Sequence, residues 1–353
     1  MNSTIKEQVR LLWDKCFAEE DKRFVDFYFE KRYNEEDNIF IERDNKVVSA
    51  LQLISYPFSY YGKTIGCAYI SGACTDPDYR SQGIMNELIL KSLKKAKNNG
   101  ACFASLIPAS ESLFNYYSGT NFVTTFDYSK IHINKPKESE QYVSNCNITT
   151  FDGSYEIYDY FNSKMRTRNC CIQHNEYDFG VIAEDLEMFD NYMLVAKYGE
   201  DICGIAFCYL RNNEIYIKDV FAESGAILSD LITSASKLLN NESINIIVPP
   251  VAGQKTHHLG MSRIIDAETM LRIYATTHPK LKMEISLVDP VLIENNGTYY
   301  INNGVLEKKD SISANVVDIE QLTQALFGYH TEVLPDKLKY FNNQAAFMSL
   351  MLD

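Results

Sequence analysis

Residues 71–88, Ser-Gly-Ala-Cys-Thr-Asp-Pro-Asp-Tyr-Arg-Ser-Gln-Gly-Ile-Met-Asn-Glu-Leu, constrain the fold more than any other part of the chain. They read as a strand that breaks at Asp76-Pro77 and restarts as a helix after Arg80-Ser81-Gln82-Gly83. Upstream, residues 64–70 are small, β-branched and aromatic, as strands are. Downstream, apolar residues at 84, 85, 88, 89, 93 and 96 repeat with helical spacing, and Gly100 supplies a stop. A glycine at such a junction lets the backbone come close to a ligand, and the N–H groups that open the helix suit a pyrophosphate. The plainer reading is an ordinary strand-to-helix turn.

The flanking sequence has the same layered grammar. Two helical patterns, 5–17 and 23–33, precede a meander of strands at 39–42 and 47–54. Residues 24–30 are unusually aromatic: they suit a helix packed on a sheet, or a wall for a cationic amine built from Asp26, Phe27 and Glu30. The apolar run 101–107 fits a buried parallel strand, and 113–117 a short helix. A polar, Pro-containing linker follows at 134–141. The pattern then recurs: a hairpin of 194–197 and 202–210, a strand at 214–221, a helix at 225–239 and a strand at 244–248. In this copy the junction is Ala222-Glu223-Ser224-Gly225, without an arginine. From Leu281 the composition changes again. A strand at 282–290, hairpin signals at Asn295-Asn296-Gly297 and Asn302-Asn303-Gly304, and a helix at 317–326 lead to an apolar tail that should dock.

Composition narrows the function. An apolar share of 46% and a charged share of 23% are those of a globular protein. No apolar run is long enough to span a membrane, and the polar start lacks a signal-peptide core, so no membrane role is expected. A net charge of −13 argues against a nucleic-acid partner and is compatible with a cationic small molecule. The nine cysteines are irregularly spaced in mostly apolar runs, as free thiols are in a reducing cytoplasm. No Cys-x-x-Cys is present, and adjacent His257-His258 would point apart, so no metal site is expected.

The wording Arg80-x-x-Gly83 before an apolar helix resembles the acyl-CoA loop of GNAT acetyltransferases, written Gln/Arg-x-x-Gly-x-Gly/Ala. Met85 stands at the last position, where a bulky apolar residue is common in the Eis-like branch. Tyr117-Ser118-Gly119-Thr120-Asn121-Phe122 is similar to that superfamily's Tyr-x-x-x-Gly-Phe, with Asn121 able to take the left-handed turn. The resemblance implies an α/β (α+β layered) chain of tandem GNAT folds with mixed, mostly antiparallel sheets and a small α+β sterol-carrier-like end. Its segments would be 1–137, catalytic; 138–278, a degenerate copy without the cofactor loop; and 279–353, the sterol-carrier-like portion.

The same resemblance implies an acetyl-CoA-dependent N-acetyltransferase acting on a primary amine of a small cationic molecule, aminoglycoside- or polyamine-like, in a ternary complex. The cofactor would be held by Ala73, Cys74 and Thr75 on the strand, by Arg80, Ser81, Gln82, Gly83, Ile84, Met85 and Asn86 at the loop, and by Ser110 and Asn115. Tyr117 would protonate the leaving thiolate, with Tyr116 as its rival one residue away. The chain-terminal carboxylate, here that of Asp353, would act as base. Such a base is needed because an ammonium of pKa near 10.4 leaves only about one amine in a thousand or fewer neutral at pH 7. Cys74 is a tempting nucleophile for a covalent route, yet it sits mid-strand with no nearby histidine in sequence. A CoA-binding scaffold without turnover and a transferase for protein amines remain alternatives. Family members assemble into rings, which leaves a homo-oligomer open.

Overall fold

The computed structural model describes residues 4–134 and 144–352. Helix α1 (Ile5–Cys16) opens on a capping box between Thr4 and Glu7, and α2 (Lys22–Lys31) opens on the side chain of Asp21. Strands β1 (Asn38–Arg43), β2 (Lys46–Tyr60) and β3 (Lys63–Thr75) follow as a meander. Its two hairpins turn at Asp44-Asn45 and Tyr61-Gly62, all four residues at positive φ, which matches the twist of the paired strands. Next come α3 (Ile84–Asn98), β4 (Phe103–Leu106), α4 (Glu111–Ser118) and β5 (Val123–Asn134). The linker read over 134–141 lies outside the described residues, except for Asn134.

Beyond it run β6 (Asn147–Thr150), α5 (Tyr155–Met165), β7 (Cys171–Ile172), α6 (Glu176–Met188), β8 (Tyr192–Tyr198), β9 (Asp201–Arg211) and β10 (Glu214–Ala222). Then come α7 (Gly225–Leu238), β11 (Ser243–Val248), β12 (Thr256–Ile264) and α8 (Ala267–Thr277). The chain closes with β13 (Met283–Val288), β14 (Gly297–Asn302), β15 (Val305–Lys309), β16 (Val316–Asp318) and α9 (Ile319–Leu326). The layered α/β class and the mixed, mostly antiparallel sheets expected from the sequence are present. Parallel pairing joins β3 with β4, β10 with β11 and β13 with β16.

The chain forms two compact units: residues 1–126 with 259–346, and residues 127–258 with 347–352. Neither follows the consecutive segments 1–137, 138–278 and 279–353. In the first unit, Val9, Leu12, Trp13, Val25, Tyr28 and Phe29 of α1 and α2 pack on Val47, Ala50 and Cys74. The other face of that sheet takes Ile84, Leu88, Ile89 and Leu93 of α3 against Ile39, Val48, Leu53 and Ile70. Strand β4 pairs antiparallel with β12, from Phe103–Ile264 to Leu106–Met261. The segment after residue 279 joins this unit through Phe327, whose ring meets Phe58, Phe103 and Phe126. The fully buried Arg263 adds an ion pair to the equally buried Asp289 at 2.6 Å. Of the two hairpin signals, Asn303-Gly304 is a two-residue turn between β14 and β15. Asn295 instead ends a short 3-10 turn.

In the second unit α7 packs Ile227, Leu231 and Ala235 on Leu194, Ala206 and Ile217, while α5 and α6 cover the other face with Phe161, Phe179 and Ile182. The apolar tail docks here, as its composition predicts. Phe347 bridges to Cys171, and Ser349 donates its hydroxyl to Asp219 at 2.7 Å. Asp353 lies outside the described residues.

Candidate active site

In the first unit β3 leaves its neighbour. Its pairing with β4 runs from Cys67–Phe103 to Tyr69–Ser105. Beyond Tyr69 the edge of β3 that faces away from β2 is therefore not taken up by β4. Its other edge carries a bulge: Ala50 pairs with Cys74 and Gln52 with Ser71, so Leu51 alone faces Gly72 and Ala73. Gly72 has a φ of +59°, and a Cβ there would stand 2.0 Å from a Trp13 ring carbon. Both the backbone and the space demand glycine.

The loop after β3 is braced from within. Asp76, 1% exposed, accepts from Lys46 Nζ at 2.8 Å, from Lys15 Nζ at 3.0 Å and from the Asp78 N–H at 3.2 Å. The Lys46 and Lys15 ammonium groups and that N–H pull its carboxyl down to about 2. Arg80 donates through Nε to the Thr75 carbonyl at 3.1 Å, which fixes the cation beside the strand end. Ser81 and Gly83 both take positive φ, and Gly83 opens α3 with no side-chain cap. The N–H groups of the first turn of α3 thus face outward without a side-chain acceptor. Glu87 in that turn is paired to Arg43 at 2.7 Å.

These parts line one cavity of about 630 Å³. Of the residues singled out in the sequence, it brings together Ala73, Cys74, Thr75, Arg80, Ser81, Gly83, Ile84, Met85, Asn86 and Tyr117, and the rival Tyr116. Tyr117 is 7% exposed, and burial, with Tyr116 and Cys74 beside it, pushes its hydroxyl up to about 12. Asn121 adopts the left-handed backbone expected of it, at φ +65°. Gln82 does not line the cavity; its side chain reaches back to the Asp78 carbonyl. Ser110 begins α4 and bonds Ser112, and Asn115 is exposed; neither is among the lining residues. Nor are Asp26, Phe27 and Glu30. The aromatic face of α2 is directed inward, with Phe27 buried and the Tyr28 hydroxyl on Ser71 at 2.7 Å. Its carboxylates are exposed, Asp26 on Arg10 at 2.7 Å and Glu30 near Lys31.

The sequence reading missed Cys16, Phe17, Tyr79 and Leu113 as lining residues. Tyr79, inside the Pro77–Arg80 loop, had a local signal; Cys16 and Phe17 reach the cavity only through the packing of α1. Cys74 is held neutral, its thiol raised well above the usual range by its hydrogen bond with Cys16 and by burial. Among the described residues no group of three His, Cys, Asp or Glu side chains could hold a metal ion. His257 stacks on Tyr128, and His258 pairs with Asp127 at 2.9 Å.

Residues 1–122 match the family model of the acetyltransferase (GNAT) domain. Over nearly its full length the chain is similar in fold to a GCN5-related N-acetyltransferase from Anabaena variabilis, with a TM-score of 0.78 at 14% identity, covering 99% of this chain and 98% of that one. A GCN5-related N-acetyltransferase from Kribbella flavida gives 0.75 at 15% identity, covering 100% and 97%. Eis1 from Mycobacterium abscessus gives 0.68 at 12%, covering 92% and 88%. At such identities the likeness is one of fold. No curated protein sequence matches the chain. The residues present suit the acyl-CoA that a GNAT fold uses: a free strand edge for amides, an uncapped helix start and Arg80 for phosphates, and a cavity of matching scale.

Proposed function

We propose that this chain, a GNAT acetyltransferase in its first 122 residues, moves an acetyl group from acetyl-CoA to a primary amine of a small cationic molecule, with both substrates bound at once. The observation that carries the reading is the meeting of the free edge of β3, the braced loop, the uncapped start of α3 and Tyr117 in one cavity. Acetyl-CoA supplies the acyl group as a thioester, already activated toward amines. The N–H groups along Ala73, Cys74 and Thr75 hold the acyl carbonyl and stabilise the charge that develops on it. Arg80 and the N–H groups from Ser81 to Asn86 hold the pyrophosphate. Tyr117, kept protonated by burial, donates to the leaving sulfur.

The base in this proposal is the carboxylate of Asp353, and Asp26 and Glu30 are the acidic groups offered to the cationic acceptor. Phe27 is spent on the interior. Ser110 and Asn115, at the start and on the exposed side of α4, are the outer contacts of the cofactor. The three-part order, with 279–353 as a sterol-carrier-like portion, belongs to the same reading and is supported by the four-stranded sheet and helix α9 found there. So do a cytoplasmic setting and a homo-oligomer.

The test is thiol release from acetyl-CoA with a panel of polyamines and aminoglycosides. Wild type should turn over at least one amine. Tyr117→Phe should lower kcat by about a hundredfold with little change in KM, as should removal of Asp353. Unchanged kcat in Tyr117→Phe would remove Tyr117 from its role, and no turnover with any amine would remove the reading.

A further inference from the structure

Two thiols line the cavity, and their surroundings make them unlike. Cys16 ends α1, half-buried, and its Sγ donates to the Thr75 carbonyl at 3.3 Å. Cys74 lies on β3 and is 5% exposed. The Arg80 guanidinium bonds the same Thr75 carbonyl and so places its charge beside Cys16. Hydrogen bonding from the Cys74 thiol, joined by Arg80, lowers Cys16 to about 7, against burial and the charge of Asp76. Asp76 is itself engaged by Lys15 and Lys46, and Tyr117 stands near Cys74. Cys16 is thus held below the ordinary thiol range and Cys74 above it. An accessible thiolate backed by a neutral, buried thiol is the arrangement that stepwise thiol–disulfide exchange needs.

We propose that Cys16 is a thiol-exchange site for a disulfide carried by CoA, with Cys74 as the resolving thiol. The proposal rests on the CoA reading of the cavity, because the groups that would hold the pyrophosphate also lead the pantetheine sulfur to the wall where both cysteines stand. The Cys16 thiolate attacks one sulfur of CoA disulfide; the CoA S–S bond breaks, a Cys16–CoA disulfide forms and one CoA thiolate leaves. Cys74 then gives up its proton to solvent and attacks Cys16 Sγ, and a second CoA thiolate leaves. The two cysteines are oxidised to one disulfide, and one CoA disulfide is reduced to two CoA thiols.

The experiment treats reduced wild type, Cys16→Ser and Cys74→Ser with CoA disulfide and follows intact mass, CoA thiol release and the modified peptide. Wild type should lose both thiols and keep no CoA. Cys74→Ser should retain one CoA on Cys16, and Cys16→Ser none at either position. The first step should quicken about tenfold between pH 6 and pH 8, as a thiol of pKa about 7 ionises. Glutathione disulfide, which has the same S–S bond but no ADP portion, should react about tenfold more slowly or worse. No adduct on Cys16 in Cys74→Ser, or equal rates for the two disulfides, overturns the proposal. Calorimetry of acetyl-CoA with reduced wild type separates the two claims. Binding without exchange defeats the thiol site alone, and no binding defeats the cavity reading and this proposal together.

Discussion

Gly72 and Gly83 separate two reasons for glycine. Gly83 has nothing within 4 Å of a would-be Cβ, so only its φ of +76° is strained by substitution. Gly83→Ala should cost about 1 kcal/mol in urea unfolding. Gly72→Ala adds a collision with the Trp13 ring and should cost about 3 kcal/mol, because α1 must shift off β3. Equal costs for the two would contradict this account of the bulge. The Arg80-x-x-Gly83 wording was legible in the sequence because every residue of the loop is local. Cys16 was not legible: it meets Cys74 across 58 positions, and no spacing along the chain encodes that proximity. Phe27 was misplaced for a related reason. A run of aromatics next to carboxylates has the same composition whether it lines a pocket or packs inward, and burial decided for Phe27.

At the scale of elements, the loop between β3 and α3 depends on one carboxylate. Asp76 is depressed to about 2 in the fold, below its ordinary value, so its contribution is present above the unfolded pKa near 4 and is lost as pH falls from about 4 toward 2. Asp76→Ala should remove about 1–2 kcal/mol at pH 7. The gap between wild type and variant should narrow below pH 4 and close toward pH 2. A gap that stayed constant to pH 2 would assign the stability to something else. Long, strongly periodic elements such as α3 and α7 were readable; the shorter α5 was passed over although its buried Ile157, Phe161 and Met165 recur at helical spacing. In α6 Gly180 lowers the helix propensity and so weakens the helical signal.

At the scale of the molecule, each unit gathers distant parts of the sequence. Pairing of β4 with β12, and of Phe327 with Phe58, cannot be read from local pattern, so residues 279–346 read as a separate segment although they pack in the first unit. The tail gives the second unit the same character. Phe347 is 2% exposed among Phe161, Phe179 and Phe207, and Ser349 bonds Asp219, which also holds Arg168 at 2.7 and 2.8 Å. Phe347→Ala should cost about 3–4 kcal/mol in denaturant unfolding; a loss under about 1 kcal/mol would mean the tail adds little. The central claim is that the cavity on β3 and α3 is where acyl-CoA binds, and hydrogen exchange with and without acetyl-CoA tests it most directly. Exchange should slow at residues 73–75, 80–86 and 113–117 and stay unchanged across 150–193, where a second cavity of about 730 Å³ lies. Slowing confined to 150–193, with none around Gly83, would contradict it.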